Sequence, residues 1–352
     1  MLVDYYCGGG GFTCGALGVG VTVACGIDCD ERARSTYVEN NRNGNGQSVP
    51  FVRARVEELT PRAVAKHLAV YPGHPTIFVG CPPCQPFTNI RTTKTHATST
   101  KEALRAFIDH VEALHPDFIV VENVPGIRAP KYGLVWEESI ERLNHGGYNV
   151  RCEMVNAARY GVPQKRVRTL LVACKAEWGD VPWPKETHTP ETYRTVRTAF
   201  GEATLCKLGA GETCKADPLH GASALSALNL KRIRAIKTPG GSRTAWPVRL
   251  WLDCYRDHDG HTDVYGRMDW DRPAPTLTTR FVSLSNGRFG HPEEDRAITP
   301  REGALLQTFP PHYTFLDHSR GWNVIHIGNA VPPRLAAAFI VAVKARLAGE
   351  RV

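Results

Sequence analysis

The sequence has no run of 18 uncharged apolar residues, which excludes a membrane-spanning helix of ordinary length. Its opening, MLVDYYCGGGG, holds no basic stretch followed by an apolar one, so no secretory leader is expected. There is no internal repeat and no long low-complexity segment, so solenoids, collagen-like chains and disordered tails are set aside. The 11 cysteines are an odd number, scattered through 352 residues, a chain too long to need disulfide staples. Free thiols in a reducing compartment, the cytoplasm, are therefore expected. Charge is nearly balanced: 43 Lys and Arg against 35 Asp and Glu leave an excess of +8. That excess permits a polyanionic partner without requiring one. What is present is ordinary for a globular protein, 42% hydrophobic and 22% charged. At about 150 residues per domain, the length corresponds to about two domains.

The first half alternates apolar runs with helix-like segments, the rhythm of an α/β fold with a parallel sheet. Candidate strands are Leu2–Tyr6, Val21–Ile27, Thr76–Val79, Phe118–Val121 and Thr169–Ala173. Glu31–Asn40, Pro61–Ala69, Lys101–Leu114 and Trp136–His145 read as helices between them. The polar and glycine-rich residues follow the strand C-termini, where open α/β sheets hold their ligands. The texture changes near Lys175: to about Tyr265 the chain is rich in turns, with no βαβ rhythm. After Gly266 ordered segments return, ending in an Ala-rich helix over Pro332–Leu347.

Several stretches carry chemistry. Asp4-Tyr-Tyr-Cys-Gly-Gly-Gly-Gly-Phe12 is a glycine loop after the first strand, suited to close approach of a ligand. It is neither a clean G-x-G-x-x-G nor a P-loop. Asp28 ends the second strand, where an acid commonly accepts hydrogen bonds from ribose hydroxyls. A glycine turn beside a surface acid is the plainer alternative. Cys81-Pro-Pro-Cys84-Gln85 fits a redox pair, half a zinc site, or a single nucleophilic thiol held by prolines. Glu122-Asn123 ends the fourth strand and offers a carboxylate on the ligand face. In Gln164-Lys-Arg-Val-Arg168, strand alternation puts Arg166 and Arg168 on one side, where they could clamp an anion or a base edge. Two stretches lack acids, Arg91–Lys101 and Lys231–Arg249, and both suit phosphate. They contribute Arg91, Lys94, Lys231, Arg232, Arg234 and Arg243 as expected nucleic-acid contacts. Cys254-x3-His258-x2-His261 matches no common zinc spacing, and no metal is expected.

Taken in order, Asp4–Phe12, Pro83-Cys84-Gln85, Glu122-Asn123-Val124, Gln164–Arg168, Arg272…Pro275-Thr276 and Gly328-Asn329-Ala330-Val331 resemble the motif blocks of the DNA cytosine-5 methyltransferases, across essentially the whole chain. The resemblance implies a Rossmann-like fold that binds S-adenosylmethionine (AdoMet), with a small, irregular target-recognition domain. Residues 1–174 would form the catalytic domain, 175–270 the recognition domain, and 271–352 a segment completing the first. Cys84 would be the nucleophile, Glu122 would hold cytosine N3, and Arg168 would contact the O2 side. Arg166 and Gln85 would support the flipped nucleotide. Asp4, Tyr6, Gly8, Gly10, Gly11, Phe12, Asp28, Cys29, Pro83, Asn329 and Ala330 would surround AdoMet, with Tyr6 in place of the family's usual Phe. Thr276 would support the recognition domain near the target nucleotide. The implied partner is double-stranded DNA, bound by a monomer near the nucleoid, in some members as half of a restriction-modification system. One departure stands out: Arg55 occupies the position of an Asp that usually touches the adenine amino group, so either Glu57 serves or adenine is held differently. Methylation of tRNA cytosine and thiol oxidoreduction by Cys81 and Cys84 are the rival readings.

Overall fold

The computed structural model describes residues 1–83, 95–255, 262–316 and 319–350. β1 (Leu2–Tyr5) is buried at every position, as a strand covered on both faces must be. It pairs in parallel with β2 (Val23–Asp28) on one side and β4 (Ile77–Gly80) on the other. β3 (Phe51–Arg53) extends the sheet beyond β2, and β5 (Phe118–Asn123) pairs in parallel with β4. Sequence order thus reverses between β1 and β4, the kind of switch point that opens a crevice at the strand C-termini. Helices α1 (Gly11–Gly18), α2 (Ala33–Asn40), α3 (Pro61–Leu68), α4 (Thr95–Leu114) and α5 (Pro130–His145) alternate with the strands.

The far edge departs from an all-parallel expectation. β6 (Tyr148–Asn156) and β8 (Val167–Lys175) complete a seven-stranded sheet, with β8 antiparallel to both β5 and β6. β6 pairs only with β8, so much of it is exposed, and its sequence YNVRCEMVN carries no strong apolar signal.

The chain divides into two compact units. The first comprises Met1–Tyr160, Val167–Thr187 and Val331–Val352; the second comprises Gly161–Arg166 and His188–Ala330. The sequence suggested that everything from residue 271 onward returns to the first domain. Instead, only the chain from Val331 does so, through α10 (Pro333–Leu347) against α1. Residues 271–330 stay in the second unit because β9 (Ala274–Pro275) pairs with β7 (Gln164–Lys165). There α8 (Pro300–Leu306) also packs on α6 (Val196–Phe200) and α9 (Arg320–Asn329). From Arg320 to Leu347 the chain is apolar enough for a membrane span. However, the helix breaks at Ala330–Pro332 into pieces of 10 and 15 residues, short of the ~20 that a bilayer needs.

Buried arginines replace regular ladders in the second unit. Arg267 donates to the carbonyls of Ile233 and Ile236, which lie at and just past the end of α7 (Ala227–Ala235), and to those of His291 and Glu294. Arg296 forms a two-point pair with Glu302, both almost fully buried. Two of the expected phosphate contacts turn inward for the same reason. Arg232 is 5% exposed, donates to Leu250 O, and lies 5.2 Å over the Trp246 ring. Arg243, also 5% exposed, lies 3.9 Å over the Tyr255 ring. Neither guanidinium is presented to solvent. Lys231 is exposed, and exposed Arg234 pairs with Asp295 at 3.2 Å. One cysteine pair departs from the expectation of free thiols: Cys206 and Cys214 are joined, with Cα atoms 6.4 Å apart.

The seam between α1 and α10 gives a direct test. A Cβ at Gly15 would come within 2.3 Å of Pro333 O and 2.8 Å of the Ala336 Cβ. Gly15→Val should cost about 1–3 kcal/mol of unfolding free energy by overpacking, read from urea denaturation. An unchanged midpoint would contradict this packing.

Candidate active site

The loop after β1 is built from unusual backbone. Gly8 and Gly10 take φ of 47° and 84°, and Tyr6 takes 61° without being glycine. Gly10 is the N-cap of α1 and has no side chain to cap it. Asp4 does this from the strand: its Oδ2 accepts from Thr13 N at 3.2 Å and from Thr13 Oγ1 at 2.6 Å. Thr13 Oγ1 in turn lies 2.9 Å from the Tyr37 hydroxyl. Asp4 is 1% exposed, and its Oδ1 has no hydrogen-bond partner among the described residues. Burial pushes this carboxyl up to about 7; the Thr13 hydrogen bonds oppose the shift and Asp28 adds to it. The motif that contains Asp4 is visible in the sequence, but Thr13 and Tyr37 are not marked there.

Asp28, at the end of β2, accepts from Gly8 N at 2.9 Å and from Asp30 N at 2.8 Å. Cys29 follows it and is exposed. A Cβ on Gly8 would meet no atom within 4 Å, so the loop leaves room above it. Open space over Gly8 and the Asp28 carboxylate that holds the loop fit a nucleoside bearing an amino acid, such as AdoMet. Gly11 begins α1. Phe12 is 4% exposed within α1, so its ring belongs to the core. Arg55 faces Glu57 at 3.5 Å and Glu58 at 3.6 Å, in a turn just after β3. Glu57 is the charged group with the largest influence on the Tyr6 hydroxyl.

The neighbouring strand ends carry the second cluster. Asn123 donates from Nδ2 to Pro82 O at 3.2 Å, while its Oδ1 accepts from Val124 N at 2.9 Å. The loop after β4 is thereby pinned to the end of β5, with Pro82 buried and Pro83 exposed. Cys84 and Gln85 lie outside the described residues, as do Arg91, Lys94, His258 and His261. Glu122 pairs with Arg168 across the sheet, Oε1 to Nε, at 2.8 Å. The antiparallel register explains the match. Glu122 sits opposite Leu170, and Arg168, two residues along β8, shares that face. Both side chains are about nine-tenths buried. Arg168 also donates to Val167 O at 2.7 Å.

Arg166 does not join that pair as alternation suggested. The strand breaks at Arg166: β7 ends at Lys165 and β8 starts at Val167. Arg166 belongs to the second unit, is 2% exposed, and donates to Gly328 O at 3.2 Å and Ala330 O at 3.1 Å. Gln164 bonds Gln307 at 2.9 Å, and Gln307 donates to Ile327 O at 2.6 Å. These side chains fix the turn at Gly328–Ala330. Asn329 is exposed there and closes α9, rather than opening the terminal helix. Thr276 donates to Lys165 O at 2.6 Å and locks β9 to β7.

A family model described as C-5 cytosine-specific DNA methylase matches residues 1–345. The chain belongs to that family. The methylase is 39% identical to the type II methylase M.HgiDII of Herpetosiphon aurantiacus, over 99% of this chain and 96% of the relative. It is 30% identical to the type II methyltransferase M1.HphI of Haemophilus parahaemolyticus, over 97% and 86%. A prophage-encoded E. coli protein assigned as a DNA modification methyltransferase shares the fold, with a TM-score of 0.70 at 21% identity over 99% of both chains. The methylase is thus an enzyme of the DNA (cytosine-5)-methyltransferase class, a family that uses AdoMet.

Asp4 predicts a pH signature. Its folded carboxyl titrates near 7 against 3.8 for the free group, so between these values the native state holds the extra proton. Stability contributed by that proton is complete below about pH 4 and is lost as pH rises through 7. Asp4→Asn should flatten the fall in melting temperature between pH 5 and 8. The same slope in variant and wild type would refute the buried-acid assignment.

Proposed function

We propose that this methylase transfers a methyl group to C5 of cytosine within a specific double-stranded DNA sequence, through covalent addition of Cys84 at C6. Cytosine C5 is a poor nucleophile in the intact aromatic ring. Addition of the Cys84 thiolate to C6 makes an enamine, and C5 becomes reactive. Glu122 shares a proton with N3 and so stabilises the ring as the thiolate adds. Arg168 holds the O2 side and keeps Glu122 oriented. AdoMet, when bound, supplies the electrophilic methyl group. C5 takes the methyl as S-adenosylhomocysteine is released; C5 then gives its proton to solvent water, N3 returns its proton to Glu122, and Cys84 departs as thiolate, giving 5-methylcytosine. The observation that carries this reading is the buried Glu122–Arg168 pair, beside a proline loop pinned by Asn123 that leads directly into Cys84.

The cofactor would lie along the glycine loop, with Asp28 toward the ribose and Asp4, Cys29 and Pro83 nearby. Asn329 and Ala330 would serve its methionine end. Glu57, rather than Arg55, would supply the carboxylate for the adenine amino group. The target base must leave the duplex to react, at a cost of a few kcal/mol of unstacking. Residues 188–270 of the second unit would read the sequence, with Thr276 supporting them. Lys231 would contact phosphate, together with Arg91 and Lys94. Arg234 would do so only by giving up Asp295, and Arg232 and Arg243 are withdrawn from that role. The type II relatives support a bacterial restriction-modification setting, and within this reading the enzyme acts as a monomer in the cytoplasm.

Methyl transfer from labelled AdoMet to duplex DNA or to tRNA tests the reaction and the substrate together. Cys84→Ser should abolish transfer while duplex binding survives, and full activity would eliminate the nucleophile assignment. Glu122→Gln should lower kcat by about 10²–10⁴-fold, the usual worth of a positioned acid, with AdoMet affinity little changed. Wild-type turnover in that variant would refute the role of the carboxyl, and labelled tRNA in place of DNA would refute the substrate.

A further inference from the structure

β1 ends at Tyr5 and Tyr6 follows it directly, and both tyrosines are tied to α4. Tyr5 is fully buried, with its hydroxyl 3.2 Å from His110 Nδ1 and its ring edge-on to Phe107 at 5.1 Å. The other His110 nitrogen lies 2.7 Å from Leu59 O. Tyr6 donates from its hydroxyl to Ala103 O at 2.6 Å. Ala103 and His110 stand two turns apart on one face of α4, which also buries Phe107. One helix face is therefore held at two heights by two consecutive residues, the last of β1 and the one after it.

Adjacent strand residues point to opposite faces of a sheet. Both tyrosines can reach α4 only if the chain turns between them, and the φ of 61° at Tyr6 provides that turn. For a bulky L-residue this conformation is strained, and glycine would escape the strain. The strain is retained where the ring is partly buried and the hydroxyl is bonded. The same residue begins the loop whose Gly8 is held by Asp28, and the charges of Glu57 and Asp28 act on its hydroxyl. Tyr6 thus belongs both to the glycine loop and to the surface of α4.

We propose that Tyr6 is a positioning residue that couples occupancy of the glycine loop to the Ala103 turn of α4. Its backbone sets the loop, and its hydroxyl transmits the order of the loop to the helix. The proposal rests on the AdoMet reading of that loop. The test is hydrogen exchange of the full chain, with and without S-adenosylhomocysteine, a probe that allows no turnover. In the wild type, the probe should slow exchange in peptides spanning residues 101–110 by about fivefold or more, the scale of a local opening made rarer. Tyr6→Phe, compared at a probe concentration that saturates each protein, should lose most of that slowing. Tyr5→Phe removes the His110 bond and leaves Tyr6 intact, so slowing should persist there. This control separates coupling from general loosening of α4. Equal slowing in Tyr6→Phe and wild type would overturn the proposal. Equal loss in both variants would also overturn it, since that would mean simple destabilisation. A wild type that does not bind the probe would overturn the cofactor reading, and the coupling with it.

Discussion

The ion pair between Glu122 and Arg168 is the contact on which the catalytic reading depends. It exists because β8 runs back antiparallel beside β5, bringing a guanidinium to the same strand end as the carboxylate. Each group is costly to bury alone, and removing either would strand a charge at about 3–5 kcal/mol. Their pairing fixes the carboxylate in one place on the ligand face. Asn123, the next residue, points the other way and pins Pro82. Two neighbouring side chains at one strand end therefore fix both the acid and the base of the loop that leads to Cys84.

The glycine loop is arranged by similar means. Asp4 reaches from β1 to cap α1, and Asp28 reaches from β2 to hold Gly8. The glycines supply conformations that other residues avoid, and the two carboxylates keep the loop from relaxing. Asp4 remains under electrostatic stress because it is buried with one oxygen unpartnered.

Much of this was legible in the sequence. β1, β2, β4 and β5 appear as short apolar runs, each closed by the residues that matter. A glycine loop, a proline pair and a Glu-Asn pair can be read locally because each acts through its own backbone neighbourhood. Other features depend on partners far along the chain. β8 is marked by its apolar run, but its antiparallel direction against β5 is not, and the edge strand β6 has no local apolar signature strong enough to mark it. Arg166, Arg232 and Arg243 look like surface charge, but all three are buried. Arg166 and Arg232 are drawn in by carbonyls 18 to 164 residues away, and Arg243 lies over an aromatic ring. Composition cannot distinguish an arginine facing phosphate from one facing a carbonyl. The extent of the second unit was hidden for a related reason, since the ordered segments between Gly266 and Ala330 pack on one another rather than joining the first unit.

The central claim is that this chain makes 5-methylcytosine at a defined DNA sequence. Bisulfite sequencing of DNA from cells that express it, beside cells carrying the empty vector, tests that claim most directly. The account predicts protected cytosines at one recurring position within one short motif across the genome. A genome without protected cytosines, from cells making the folded protein, would contradict it.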